Sequence, residues 1–84
     1  MRTVIIPEPG KLEVAQIEKP RVVGPYQALV KTELAAVCNA TDSKLISGHF
    51  PGAQTFPMAL GHEDVGIVQE VGAKARNFQP GDRV

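Results

Sequence analysis

The chain has 84 residues, one small domain or part of a larger one, which folded would hide about two-thirds of the surface that its unfolded form exposes. Nine basic residues balance nine acidic ones, so charge gives no sign of a phosphate backbone or an anionic membrane as partner. Tyr26, Phe50, Phe56 and Phe78 are the aromatics and tryptophan is absent, which argues against stacking platforms for nucleic acid.

The opening "RTVII", Arg2 to Ile6, reads as a short strand. Its purely apolar part, Val4-Ile5-Ile6, is far too short for a signal peptide or a membrane span. Pro7-Glu8-Pro9-Gly10 is a turn by its chemistry, because proline fixes φ and Gly10 permits φ > 0. "KLEVAQIE" follows with Leu12 and Val14 on one face, so roughly the first seventeen residues form a hairpin. The alternation slips between Gln16 and Ile17, the mark of a bulge or of the strand end. Lys19-Pro20 to Gly24-Pro25 is a connection in which strand pairing does not continue.

"QALVKTELAAV" has the clearest two-residue period in the chain. Val30, Thr32, Leu34 and Ala36 face one way, and Leu29, Lys31 and Glu33 the other, as in a half-buried strand that ends at Cys38. In "NATDSKLIS" the pattern changes: Thr41 or Asp42 is the expected helix N-cap, Gly48 the stop, and the apolar content supports one or two turns. "GHFPGAQTFP", residues 48–57, is a loop of the kind that can shape a pocket or merely connect. "LGHEDVGIVQEVG" resumes as strand, with Val65, Ile67 and Val71 on one face and Gln69 the exception. A turn at Pro80-Gly81-Asp82 leads to a further strand beginning at Arg83-Val84. A strand starting there presents an unpaired edge, and the expected status of the chain is a piece of a larger protein.

Three groups stand out chemically. Cys38 closes one strand, and His62 and Glu63 open another. Thiolate, imidazole and carboxylate are all ligands for a borderline metal such as zinc. Three protein ligands leave an open position, the arrangement of a catalytic rather than a structural zinc site. Cys38 is the only cysteine, so no internal disulfide forms and a reducing cytoplasm is the expected compartment. His62-Glu63 is not a zincin helix, since the residue four after His62 is Gly66. A Cys38–His62 nucleophile pair lacks a visible orienting partner or oxyanion feature. Taken alone, a single cysteine also fits a small buried hydrophobe, Thr41 and Asp42 a plain helix cap, and Glu63 and Asp64 solvated strand-end charges. His49 reads as a surface residue, Tyr26 and the phenylalanines as packing groups, with Phe50 and Phe56 candidates to line a substrate pocket.

The stretch "GHEDVGIVQEVGAKARNFQPGDRV" resembles the zinc signature of the medium-chain, zinc-dependent alcohol dehydrogenases. The matching positions are Gly61, His62, Glu63, Gly66, Val68, Val71, Gly72, Phe78, Gly81, Asp82, Arg83 and Val84, and Ala75 stands where valine is usual. "AAVCNATDSKLISG" resembles the segment that supplies the first catalytic zinc ligand of the family, and "PGKLEV" and "ALVKTELAAVC" its opening strands. The resemblance implies a mainly β fold: a fragment of a GroES-like, partly open β-barrel with one short helix. Residues 1–84 would then be the first part of a GroES-like catalytic domain, and the cofactor-binding Rossmann domain is absent from this chain. Consistent with that, no G-x-G-x-x-G fingerprint occurs in it.

On this resemblance Cys38 and His62 are two of three protein ligands of a catalytic zinc. Glu63 lies at the metal as a neighbouring carboxylate or as a ligand exchanging with water. Thr41 is the hydroxyl that passes the alcohol proton away, and Asp42 accepts a hydrogen bond from His62 and fixes its tautomer. Gly66 and Gly72 are structural, at close backbone approaches or turns. One departure matters. The family has a single residue between the cysteine and the Ser/Thr-Asp pair, whereas Asn39 and Ala40 both intervene here, and one extra residue rotates a helix by about 100°.

The activity implied is hydride transfer between an alcohol or carbonyl compound and NAD(P), the dinucleotide being held outside this segment, so that these 84 residues alone are inactive. Partners would be a small-molecule alcohol or carbonyl substrate, with no nucleic acid and no membrane, and the family leaves room for a homo-oligomer. Two alternatives stand beside this reading: a metal-free GroES-like interaction or assembly module, and a zinc-free reductase of the same superfamily.

Overall fold

The computed structural model describes residues 1–22, 24–52 and 55–84. In chain order the elements are β1 (Arg2–Ile6), β2 (Glu13–Gln16), β3 (Ala28–Ala35), α1 (Asn39–Ser47), β4 (Met58–Ala59) and β5 (Asp64–Val71). The expected architecture holds: mostly strands with one short helix, in open sheets of order β2-β1-β4 and β3-β5 that do not close a barrel among the described residues. Two compact units result, Met1–Glu18 with Ala36–Glu63, and Lys19–Ala35 with Asp64–Val84. Val23 of the expected connection and Ala53 and Gln54 of the expected loop lie outside the described residues. Among those described, no helix is long and apolar enough to cross a membrane.

In the first unit β1 and β2 pair antiparallel, Arg2 opposite Gln16 and Ile5 opposite Glu13. At the slip between Gln16 and Ile17 there is no bulge: Ile17 continues the register, its N–H donating to the Met1 carbonyl at 2.8 Å and its carbonyl accepting from the Met1 ammonium at 2.7 Å. Gly10, at φ +83°, turns the hairpin and donates its N–H to the Ile46 carbonyl of α1 at 2.6 Å. The other edge of β1 takes β4, Ile5 facing Ala59 and Ile6 facing Met58. Ile6, on the strand paired on both sides, has no exposed surface, a burial that contributes about 1.5–3 kcal/mol. The sequence pattern did not foresee β4, because two residues show no period.

Helix α1 differs from expectation at its start. The N-cap is Cys38, with extended backbone at φ −93° and ψ 99°, not Thr41 or Asp42, and the nine residues make about 2.5 turns. The reason lies in Asp42, whose Oδ2 accepts the Cys38 N–H at 3.0 Å, so the carboxylate secures the first turn from inside the helix. The stop is as expected. Gly48 adopts the left-handed conformation at φ +79°, and the His49 N–H reaches back to the Lys44 carbonyl at 2.9 Å.

In the second unit β3 and β5 pair antiparallel with two register breaks. Leu29 faces Glu70 while Val30 faces Val68, which leaves Gln69 extra on β5. Thr32 faces Gly66 while Leu34 faces Val65, which leaves Glu33 extra on β3. The bulges lie on opposite strands and offset one another. They account for Gln69 as the break in the β5 pattern. Leu34, expected on the sheltered face of β3 with Thr32, is 74% exposed, and Thr32 is exposed as well. At Gly66 a Cβ would stand 2.5 Å from the Lys31 carbonyl oxygen, so the strands approach as only glycine allows. The far edge of β5 is paired: Gly66 and Val84 exchange two backbone hydrogen bonds at 2.9 Å each, and Arg83 bridges Ile67. Arg83 also holds the bulged Glu33 in an ion pair at 2.6 Å. The edge expected to be bare at Arg83-Val84 is therefore partnered by β5, around the buried Val68.

Candidate metal centre

Cys38 follows β3 as the N-cap of α1, and His62 and Glu63 immediately precede β5. A backbone hydrogen bond from the Ala36 N–H to the Glu63 carbonyl, 2.9 Å long, ties these two chain segments together two residues from the sulfur. The consequence is convergence. One donor atom each from Cys38, His62 and Glu63 lies within 4.8 Å of the others. Cys38 is half-buried, whereas His62 and Glu63 are exposed.

The two ring nitrogens of His62 face different carboxylates. Nδ1 stands 3.4 Å from Oδ1 of Asp42, and Nε2 stands 3.7 Å from Oε1 of Glu63. Asp42 is the one buried polar side chain of α1, and its Oδ1 has no hydrogen-bond partner among the described residues. An Nδ1–H aimed at that oxygen satisfies it and leaves the Nε2 lone pair free on the side of Glu63.

The thiol is held below its ordinary pKa of 9.0, first by hydrogen bonding from the Thr41 hydroxyl, then from the Thr41 backbone N–H, then from His62. Each favours the thiolate, as does a position at a helix N-terminus. His62 is pushed above its ordinary 6.5, chiefly by its hydrogen bond to Cys38 and next, against the opposing effect of desolvation, by the charges of Asp42, Cys38 and Glu63. The two shifts are opposite in sense, the one favouring the charged thiolate and the other the charged imidazolium.

The additional residue between Cys38 and Thr41 is absorbed without loss of the cluster. With Cys38 as N-cap, Thr41 and Asp42 fall three and four residues on, the two positions that share its side of the helix. Thr41 meets the sulfur and Asp42 meets His62. Sequence reasoning assigned Thr41 a proton-relay part and missed its contact with Cys38, although the three-residue spacing carried that signal. His49 is exposed, with Nδ1 3.0 Å from Ser47 Oγ, as expected of a surface residue. Phe50 and Phe56 are half-buried, but Tyr26, expected to pack, is 74% exposed.

The donor set suits zinc. A polarised thiolate, an imidazole whose second nitrogen faces a buried carboxylate oxygen, and an adjacent carboxylate are what that ion takes at a site with an open position. Residues 24–84 match the description "Alcohol dehydrogenase GroES-like domain". The chain belongs to that family. Across all 84 residues it is 36% identical to a zinc-type alcohol dehydrogenase-like protein of Schizosaccharomyces pombe, of which it spans 20%. Its fold superposes on a zinc-dependent alcohol dehydrogenase of Streptococcus pneumonia in the apo form with a TM-score of 0.86, at 35% identity, covering 99% of this chain and 23% of that one. It also superposes on Escherichia coli quinone oxidoreductase complexed with NADPH with a TM-score of 0.84, at 26% identity, covering 99% and 26%. The chain thus spans a fifth to a quarter of these relatives' length, and they are oxidoreductases.

Proposed function

We propose that this chain supplies the metal-binding part of the catalytic domain of a zinc-dependent oxidoreductase, which transfers a hydride between an alcohol or carbonyl substrate and NAD(P). The observation that carries the reading is the convergence of Cys38, His62 and Glu63 within 4.8 Å, with Nδ1 of His62 turned to Asp42. Residues 1–84 are on this reading the first part of a GroES-like domain, in a protein of the reducing cytoplasm whose dinucleotide site lies outside them.

Cys38 and His62 would hold the metal, with Glu63 as a carboxylate beside it. When bound, zinc supplies Lewis-acid charge that makes a substrate hydroxyl far more acidic, and NAD(P) supplies the hydride acceptor. Asp42 keeps the His62 proton on Nδ1, so that Nε2 remains a donor to the metal. Thr41 has a hydroxyl beside the sulfur, where it can accept a proton leaving the substrate and hand it on toward solvent. The chain's contribution is placement and charge, and the hydride chemistry belongs to the dinucleotide.

The test is made on the full-length protein. Purified enzyme is expected to contain zinc that the Cys38→Ser variant lacks, and to change nicotinamide absorbance when given an alcohol. Turnover with zinc absent and Cys38→Ser without effect would instead favour a zinc-free reductase of the same superfamily. No turnover and no metal would leave an interaction module.

A further inference from the structure

A second site lies in the unit formed by Lys19–Ala35 and Asp64–Val84, and the oxidoreductase reading makes no use of it. A surface cavity of about 600 Å³ is lined by Tyr26, Lys74, Ala75, Arg76, Asn77 and Phe78. That size falls in the range of small-molecule sites, roughly 300–1,000 Å³. Two cations and one amide line it, and no carboxylate does. Among the described residues neither Lys74 nor Arg76 has an ion-pair partner, while Glu33 and Glu8 are taken by Arg83 and Lys11.

The backbone beneath is fixed. Gly72 donates its N–H to the Gln27 carbonyl at 2.7 Å, Lys74 donates to the Pro25 carbonyl at 2.8 Å, and Ala75 donates to the Gly72 carbonyl at 3.1 Å. A Cβ on Gly72 would collide with the carbonyls of Gly24 and Pro25, so glycine is what lets the 72–75 turn close onto the 24–27 loop. That closure sets Lys74 Nζ 6.0 Å from the centre of the Tyr26 ring. Two aromatic side chains remain open to solvent there, Tyr26 at 74% and Phe78 at 50% exposure. Large apolar surface left open next to unpaired cations, on a clamped scaffold, suits a ligand with both a flat face and negative charge.

We infer that this cavity binds a small aromatic anion, an aryl phosphate or aryl carboxylate, whose ring lies against Tyr26 and Phe78 and whose charge is met by Lys74 and Arg76. The probe is phenyl phosphate, titrated into isotope-labelled protein and followed through the amide resonances of residues 72–78. Tyr26 fluorescence is a second readout, since the chain has one tyrosine and no tryptophan. Saturable shifts confined to these amides are expected, with affinity falling at least tenfold in Lys74→Ala/Arg76→Ala and weakening as salt rises. Tyr26→Ala is expected to weaken phenyl phosphate while leaving inorganic phosphate unchanged. All three side chains are exposed, so the folded spectrum of each variant is retained. Absence of saturable shifts at millimolar phenyl phosphate overturns the inference. So does equal binding of inorganic phosphate, which would remove the ring from the account, or of phenol, which would remove the charge.

Discussion

Oδ1 of Asp42 is buried, has no hydrogen-bond partner among the described residues, and stands 3.4 Å from Nδ1 of His62. The other oxygen of the same carboxylate holds the Cys38 N–H at 3.0 Å. One side chain thus positions both proposed metal ligands, the cysteine through its backbone and the histidine through its ring.

Asp42→Asn is therefore expected to keep the fold and weaken the metal. The amide oxygen can still accept the Cys38 N–H, but the negative charge that supports an Nδ1–H is gone. Zinc affinity should fall by about 10–100-fold, measured by competition with a chromogenic chelator. Asp42→Ala should also lose the bond to Cys38 and about 1 kcal/mol of stability, seen as a lower denaturation midpoint.

Thiol reactivity of the metal-free protein should follow the Thr41 contact. Hydrogen bonding from Thr41 holds Cys38 below 9.0, and a lowered pKa leaves more thiolate at any given pH. Alkylation by iodoacetamide should thus stay fast on descending from pH 9 and fall away only as pH passes through the lowered value. Thr41→Val should move that fall toward higher pH. His62 shifts the opposite way, above 6.5, so in the metal-free protein it takes a proton at a higher pH than a free histidine would.

Much of the fold was legible because local chemistry and period agreed. The opening hairpin followed from the short strand read in Arg2–Ile6, the Pro-Gly turn and the shared face of Leu12 and Val14, and β1 has the expected bounds. What was not legible came from pairing across the chain. β4 exists because Met58 and Ala59 meet Ile6 and Ile5, and the two bulges in the β3–β5 ladder come from its register. The helix start was misread because Asp42 caps from within. For the site, residue types and their places at strand ends named the donors, but residues 38 and 62 are joined by convergence and not by spacing, so it was the resemblance around Gly61-His62-Glu63 that favoured their pairing.

Close approach at Gly66 gives a stability prediction. A methyl group there meets the Lys31 carbonyl at 2.5 Å and the Val30 side chain at 2.6 Å, within a paired strand that cannot yield easily. Gly66→Ala should destabilise by about 1–3 kcal/mol, read from urea unfolding.

Ile6 and Val14 form a contrasting pair on adjacent strands. Ile6 is fully buried and Val14 is 70% exposed. Ile6→Ala should cost about 2–5 kcal/mol, whereas Val14→Ala should stay within about 0.5 kcal/mol. Equal effects in the same unfolding experiment would show that the core is not centred on β1.

The most direct test of the metal site uses the fact that Cys38 is the only thiol. Cobalt(II) titrated into this chain should produce a thiolate-to-cobalt charge-transfer band that saturates at one equivalent, disappears in Cys38→Ser and is weakened in His62→Ala. No such band at saturating cobalt, or a band indifferent to His62→Ala, would contradict it.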